Sequence, residues 1–140
     1  MNEPDEAARP ARTPREVSRI RRDAATATGR RGEEAAVAFA RERGWHLVLC
    51  NMPVAGAEAD VVCERLQDGV RAGLLLEVKA SASPYGVQAE RLGAAQTRRL
   101  WRMAEVLCAQ HGFERIEVAL VLVAMTPTQE RVTWIPLEPF

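Results

Sequence analysis

Two hydrophobic periods run along the chain, and the switches between them divide it into seven elements. From Arg30 to Arg43 the residues Ala36, Val37 and Ala40 recur at helical spacing, and Gly44 stands where such a helix would stop. Trp45–Asn51 is a short apolar run of strand length, Glu58–Glu64 a second, and Val70–Ala80 a third with LLLEV at its centre. Pro53–Ala57 reads as a loop and Gln67-Asp68-Gly69 as a turn. After a loop over Ser81–Gly86 that holds Pro84, Gln88–Gln110 predicts a long helix closed by His111-Gly112. Arg115–Met125 carries the most apolar stretch, IEVALVLVAM, which predicts a strand buried on both faces. Pro127–Glu130 then turns into a last strand, Arg131–Ile135.

The predicted order is α-β-β-β-α-β-β. The first three strands are close enough in sequence for an antiparallel meander. The long helix permits a right-handed crossover to a parallel fourth strand. This predicts an α/β sandwich around a mixed sheet, one domain over residues 29–140. Residues 1–28 hold Pro4, Pro10 and Pro14, many Ala and Arg and few large apolar side chains, so they read as a flexible tail. A short helix from Thr13 is an option there, because Thr13 and Glu16 have capping-box spacing and Pro14 suits a first turn.

Composition narrows the function classes. Hydrophobic residues make up 47% of 140, which excludes a fully disordered chain. Three cysteines without C-x-x-C spacing exclude a disulfide scaffold and give a zinc site no framework. No apolar run approaches a membrane span, and the arginine-bearing N-terminus lacks the apolar segment of a secretory signal. The expected location is the cytoplasm, with no membrane partner. Nineteen basic residues balance nineteen acidic ones, which removes the bulk-charge argument for nucleic-acid binding and leaves only local placement. Eighteen of the nineteen basic residues are arginine; the sole lysine is Lys79. Neither a P-loop nor a dinucleotide-binding glycine motif is present.

Strand alternation places Glu58, Asp60 and Val62 on one face and Leu75, Glu77 and Lys79 on one face. Asp60 and Glu77 could then stand side by side on neighbouring strands, with Lys79 two residues on. Paired carboxylates repel unless a cation sits between them, and oxygen ligands of this kind suit Mg²⁺. A lysine there could position or deprotonate an attacking water, or stabilise developing charge. The competing reading is a hairpin with a Glu–Lys ion pair on its wet face. Glu33 shares a helix face with Ala36, Val37 and Ala40, where a carboxylate is costly unless paired; the plainer reading is a favourable charge in the first helical turn. In the second helix Gln96 falls within the arc of Leu92, Leu100, Met103 and Leu107, and so is expected to point inward. Arg91, Arg98 and Arg102 cluster opposite, where they could track phosphates or simply form a solvated face. The tryptophans read as packing residues; Tyr85 lies in the loop just after Lys79.

Gly29–Ala36 (GRRGEEAA), Ala57–Val62 (AEADVV) and Leu75–Ala80 (LLEVKA) together resemble the bacterial YraN family. That family is similar to archaeal Holliday-junction resolvases and belongs to the restriction-endonuclease-like PD-(D/E)XK superfamily. The similarity spans roughly residues 28–125. The resemblance implies that Asp60 and Glu77 bind metal, that Lys79 is the catalytic lysine and that Glu33 completes the site. Gln96 falls near a family position that is commonly basic, where other nucleases of the superfamily carry Gln. The chain departs from the family pattern at Ala57-Glu58-Ala59-Asp60, where Gly-Glu-Ile-Asp is usual. It departs again at Ala80-Ser81, where Thr-Arg is usual. The implied function is that of a Mg²⁺- or Mn²⁺-dependent endonuclease cleaving nucleic acid, above all branched or structured DNA, with a homodimer compatible. The alternative is a non-catalytic nucleic-acid-binding or scaffold protein that retains the fold.

Overall fold

The computed structural model describes residues 13–82 and 92–139. Its elements are α1 (Pro14–Glu42), β1 (His46–Val54), β2 (Ala57–Gln67), β3 (Val70–Ser81), α2 (Ala94–His111), β4 (Arg115–Met125) and β5 (Glu130–Pro136). The five strands form one sheet in sequence order. β1, β2 and β3 are antiparallel, β3 and β4 parallel, and β4 and β5 antiparallel. This is the predicted α/β order and the predicted mixed sheet.

The helix expected over residues 30–43 is the second half of a longer one. α1 begins at Pro14, inside the segment read as a tail. Residues 14–28 lack a periodic apolar face, which is why the pattern stopped short of them. They are nevertheless rich in Ala and Arg, good helix formers, and extending a nucleated helix costs far less than starting one. Residues 1–12 of that segment lie outside the described residues. α1 stops where expected: Gly44 takes φ 88°, and Trp45 N–H donates to the Ala40 carbonyl.

Two-residue turns build both hairpins. Asp68-Gly69 has φ 52° and 77°, the left-handed pair that matches strand twist. Ala55-Gly56 does the same with φ 50° and 80°, so β1 and β2 run through most of the stretch predicted as a loop. Pro53 is tolerated inside β1 because β1 is an edge strand.

The helices seal opposite faces. On the α1 side Ala36, Val37 and Ala40 pack with Trp45, Val61, Cys63, Leu74, Leu76, Val121 and Val123. On the α2 side Leu100, Met103 and Leu107 pack with Val62, Leu75, Phe113 and Val118. Each fully buried Leu or Val contributes about 1.5–3 kcal/mol, so both faces of β3 are closed by burial and its accessible chemistry lies towards its end. β4 is buried on both faces, as its apolar run predicted. α2 starts at Ala94, later than the predicted Gln88, and ends at Gly112 with φ 71°. Residues 83–91 lie outside the described residues.

Candidate metal centre

The site forms where two strands part. The β2–β3 ladder runs from the turn to Val61↔Leu76 and stops there. Beyond it residues 57–59 of β2 pair with β1, and residues 77–81 of β3 pair with β4. One step past the last rung, Asp60 faces Glu77. The Val78 N–H, which points towards β2, finds the Asp60 carboxylate and donates to Oδ2 at 2.8 Å. A side chain has therefore replaced a rung of the ladder, and the notch holds carboxylates.

Alternation carries through β3. Leu74 and Leu76 lie in the α1-side core and Leu75 in the α2-side core, so Glu77 and Lys79 continue the row of Leu75. Asp60 and Glu77 come within hydrogen-bonding reach of each other. Burial pushes both carboxyl groups above the usual carboxylate range. For Asp60 the Val78 amide opposes that rise, and the Glu58 charge adds to it. For Glu77 the next cause is the Asp60 charge, with Lys79 opposing. Lys79 Nζ stands 3.5 Å from Glu77 Oε1, with its side chain 46% exposed against 15% for Glu77. The ammonium thus reaches over a mostly buried carboxylate from the solvent side, at a distance longer than a good hydrogen bond.

Glu33 approaches from α1. Its neighbour Gly32 meets β3 so closely that a Cβ on Gly32 would lie 2.5 Å from Ala80 Cβ. The small residue in the Arg-Gly-Glu-Glu run therefore sets how near α1, and with it Glu33, comes to the end of β3. Glu33 Oε2 accepts a 2.8 Å hydrogen bond from Asn51 Nδ2. Burial and the nearby Asp60 and Glu58 charges raise the Glu33 carboxyl, while Asn51 and Arg30 pull it down.

Two residues of this neighbourhood escaped the sequence reading. Asn51 has a left-handed backbone, φ 52°, in the β1 slot that faces Asp60. Its only sequence signal is that Asn tolerates such a conformation better than most residues. Arg99 acts on Glu77 electrostatically. It stands three residues after Gln96 and four before the buried Met103, exposed on the flank of the buried face of α2.

The remaining predicted residues fall elsewhere. Gln96 does not point inward: it is exposed, because α2 begins only two residues before it. Among the described residues it makes no hydrogen bond to either carboxylate. Arg98 and Arg102 are exposed and line a separate cleft of about 440 Å³ with Ala95, Trp101, Glu105 and Pro139. Arg91 and Tyr85 lie outside the described residues.

Among the described residues no three His, Cys, Asp or Glu side chains form a group that could hold a metal ion. The arrangement is a carboxylate pair. Mg²⁺ is commonly held by one or two carboxylates and keeps water for its other positions, so a pair suffices. Two half-buried acids within reach of each other, with the Asp60 charge raising Glu77, are a donor set that a divalent cation relieves.

The fold is an α/β sandwich with a five-stranded mixed sheet between two helices, and Asp60, Glu77 and Lys79 stand where its second and third strands part. The family model described as "Uncharacterised protein family UPF0102" matches residues 32–121. The chain belongs to that family, the YraN family. No curated protein matches the chain. Among the described residues no helix is long and apolar enough to cross a membrane.

Proposed function

We propose that this protein is a Mg²⁺- or Mn²⁺-dependent endonuclease that hydrolyses phosphodiester bonds in nucleic acid. The observation that carries this reading is the contact of Asp60 with Glu77 at the strand parting, with Lys79 Nζ 3.5 Å from Glu77. Asp60 and Glu77 would hold the cation, which when bound would neutralise charge on the phosphate. Lys79 supplies three N–H donors on a flexible stem at the open side of the notch. There it can orient a water towards phosphorus and stabilise the negative charge that grows as the P–O bond to the leaving sugar breaks. Glu33 supports the site from α1. The exposed Arg99, beside Glu77, adds a cation suited to a substrate phosphate. The similarity of the family to Holliday-junction resolvases supports branched or structured DNA as the first substrate to try.

The test is cleavage of branched, flapped and linear DNA, with single-stranded RNA alongside, in Mg²⁺ or Mn²⁺. Wild type should cut at least one branched substrate, and Asp60→Asn and Glu77→Gln should not. Equal cleavage by Asp60→Asn would refute the site. Tight binding of branched DNA without cleavage by wild type would support a non-catalytic binding module instead.

A further inference from the structure

Glu33 does not hang free beside the Asp60–Glu77 pair. The hydrogen bond from Asn51 Nδ2 is anchored at both ends by backbone. On one side Asn51 is held left-handed, and the β1–β2 pairing fixes its neighbours: Cys50 faces Val61 and Met52 faces Ala59. The left-handed residue interrupts the strand alternation, and its amide reaches across to α1. On the other side α1 is seated on Ala80 through Gly32, so the start of the Glu33 side chain is fixed too. Glu33 lies near enough to Asp60 for their charges to interact. Even so, among the described residues no three acids gather into a group that could hold a metal ion. The two facts together describe a third carboxylate that is close to the pair, tethered by Asn51 and not grouped with it.

We propose that Asn51 is a positioning residue that restrains Glu33 outside the cation's ligand set, leaving a two-carboxylate site. The inference rests on the metal-site reading above and divides its residues into ligands and a restrained neighbour. A site with two carboxylates suits Mg²⁺ or Mn²⁺, which keep several waters. A third carboxylate would raise the charge and the ligand number towards what Ca²⁺ takes. Asn51 thereby acts on which cation the site accepts.

The experiment is calorimetric titration of the full-length protein with Mn²⁺ and with Ca²⁺. Asn51→Gly removes the amide and keeps a residue at ease with φ 52°, so the fold survives, and a circular dichroism melt checks this. Freed Glu33 should join the pair. Mn²⁺ should bind about threefold or more tighter, and Ca²⁺ should gain by a larger factor. Glu33→Gln alone should stay within about twofold of wild type, because a residue outside the ligand set adds little. The double variant Asn51→Gly with Glu33→Gln should lose the gain. Merely structural damage at Asn51 would weaken binding, so the direction of change separates the two roles. Unchanged or weaker Mn²⁺ binding by Asn51→Gly overturns the proposal. So does a loss by Glu33→Gln as large as that by Asp60→Asn. If instead Asp60→Asn leaves Mn²⁺ binding untouched, the metal site itself falls, and this inference with it.

Discussion

Replacing Asp60 by Asn should stabilise the protein without metal and destabilise it, relative to wild type, with metal. Asp60 and Glu77 are close, half-buried and of like charge, and burial is the first cause that raises both. Two unit charges about 4 Å apart repel by roughly 4 kcal/mol at an effective dielectric of about 20. Lys79, 3.5 Å from Glu77, offsets part of this. The amide keeps an oxygen for the Val78 N–H and gains donors for Glu77, so no buried group is orphaned. A net gain of about 1–2 kcal/mol is expected for metal-free Asp60→Asn at pH 8, or roughly 3–6 °C in Tm for a chain of this size. The pH dependence has a definite sign. Both acids have folded-state pKa values above their unfolded ones, so the folded state binds more protons between the two values. Stability from these groups is full below the unfolded carboxylate range and is lost as pH rises through the raised folded values. The advantage of Asp60→Asn should therefore shrink towards pH 4 and be largest above neutrality. The assay is thermal unfolding by circular dichroism from pH 4 to pH 8.5, in chelator and in millimolar Mg²⁺. Mg²⁺ should raise the wild-type Tm and leave the variant unmoved. A lower Tm for metal-free Asp60→Asn at pH 8, with no trend in pH, would refute the reasoning.

Three further outcomes follow from the geometry. Lys79→Ala should abolish cleavage while costing only about 0–1 kcal/mol in stability, since its ion pair is half exposed; Lys79→Arg should not restore activity, and unfolding curves beside a cleavage assay check both. Gly32→Ala should destabilise by about 1–3 kcal/mol, because its Cβ meets Ala80 Cβ at 2.5 Å, and Ala80→Gly in the same chain should recover most of the loss in a denaturant titration. Arg99→Ala should leave the melt unchanged, weaken DNA binding and reduce the slope of log affinity against log salt by about one, as fluorescence anisotropy at several salt concentrations would measure.

What could be read from the sequence was whatever follows from a fixed period. Glu77 and Lys79 continue the row of Leu75 because side chains on a strand must alternate, and the Asp68-Gly69 turn set which residues of β2 and β3 meet. Alternation does not run unbroken through Asp60, since Ala59 and Val62 both lie in the α2-side core, so Glu58 does not share the face of Val62 as the pattern predicted. Gln96 was misplaced because exposure depends on where a helix begins, and the start of α2 is not marked by a side-chain cap: Gly93 precedes it. Asn51 was invisible because a left-handed residue inside a strand obeys no period. The length of α1 was read only in part: the Thr13–Glu16 spacing and Pro14 marked its start as a short helix, but residues 14–28 are helical by propensity and continuity, without an apolar stripe to join that start to the helix over 30–43.

The Val78 amide gives the site a reporter of its own. Most amides of a sheet exchange with solvent when strands separate, so their protection measures the stability of the ladder. The Val78 hydrogen is held by the Asp60 side chain, and its exchange is gated by a carboxylate's rotamer and charge. A deuterium exchange or nitrogen-15 shift measurement at this one backbone position would therefore register protonation, cation loading or substitution at Asp60, while the amides of Leu75 and Leu76 stayed silent. Occupancy of the notch can thus be followed at one backbone amide, without any substrate added.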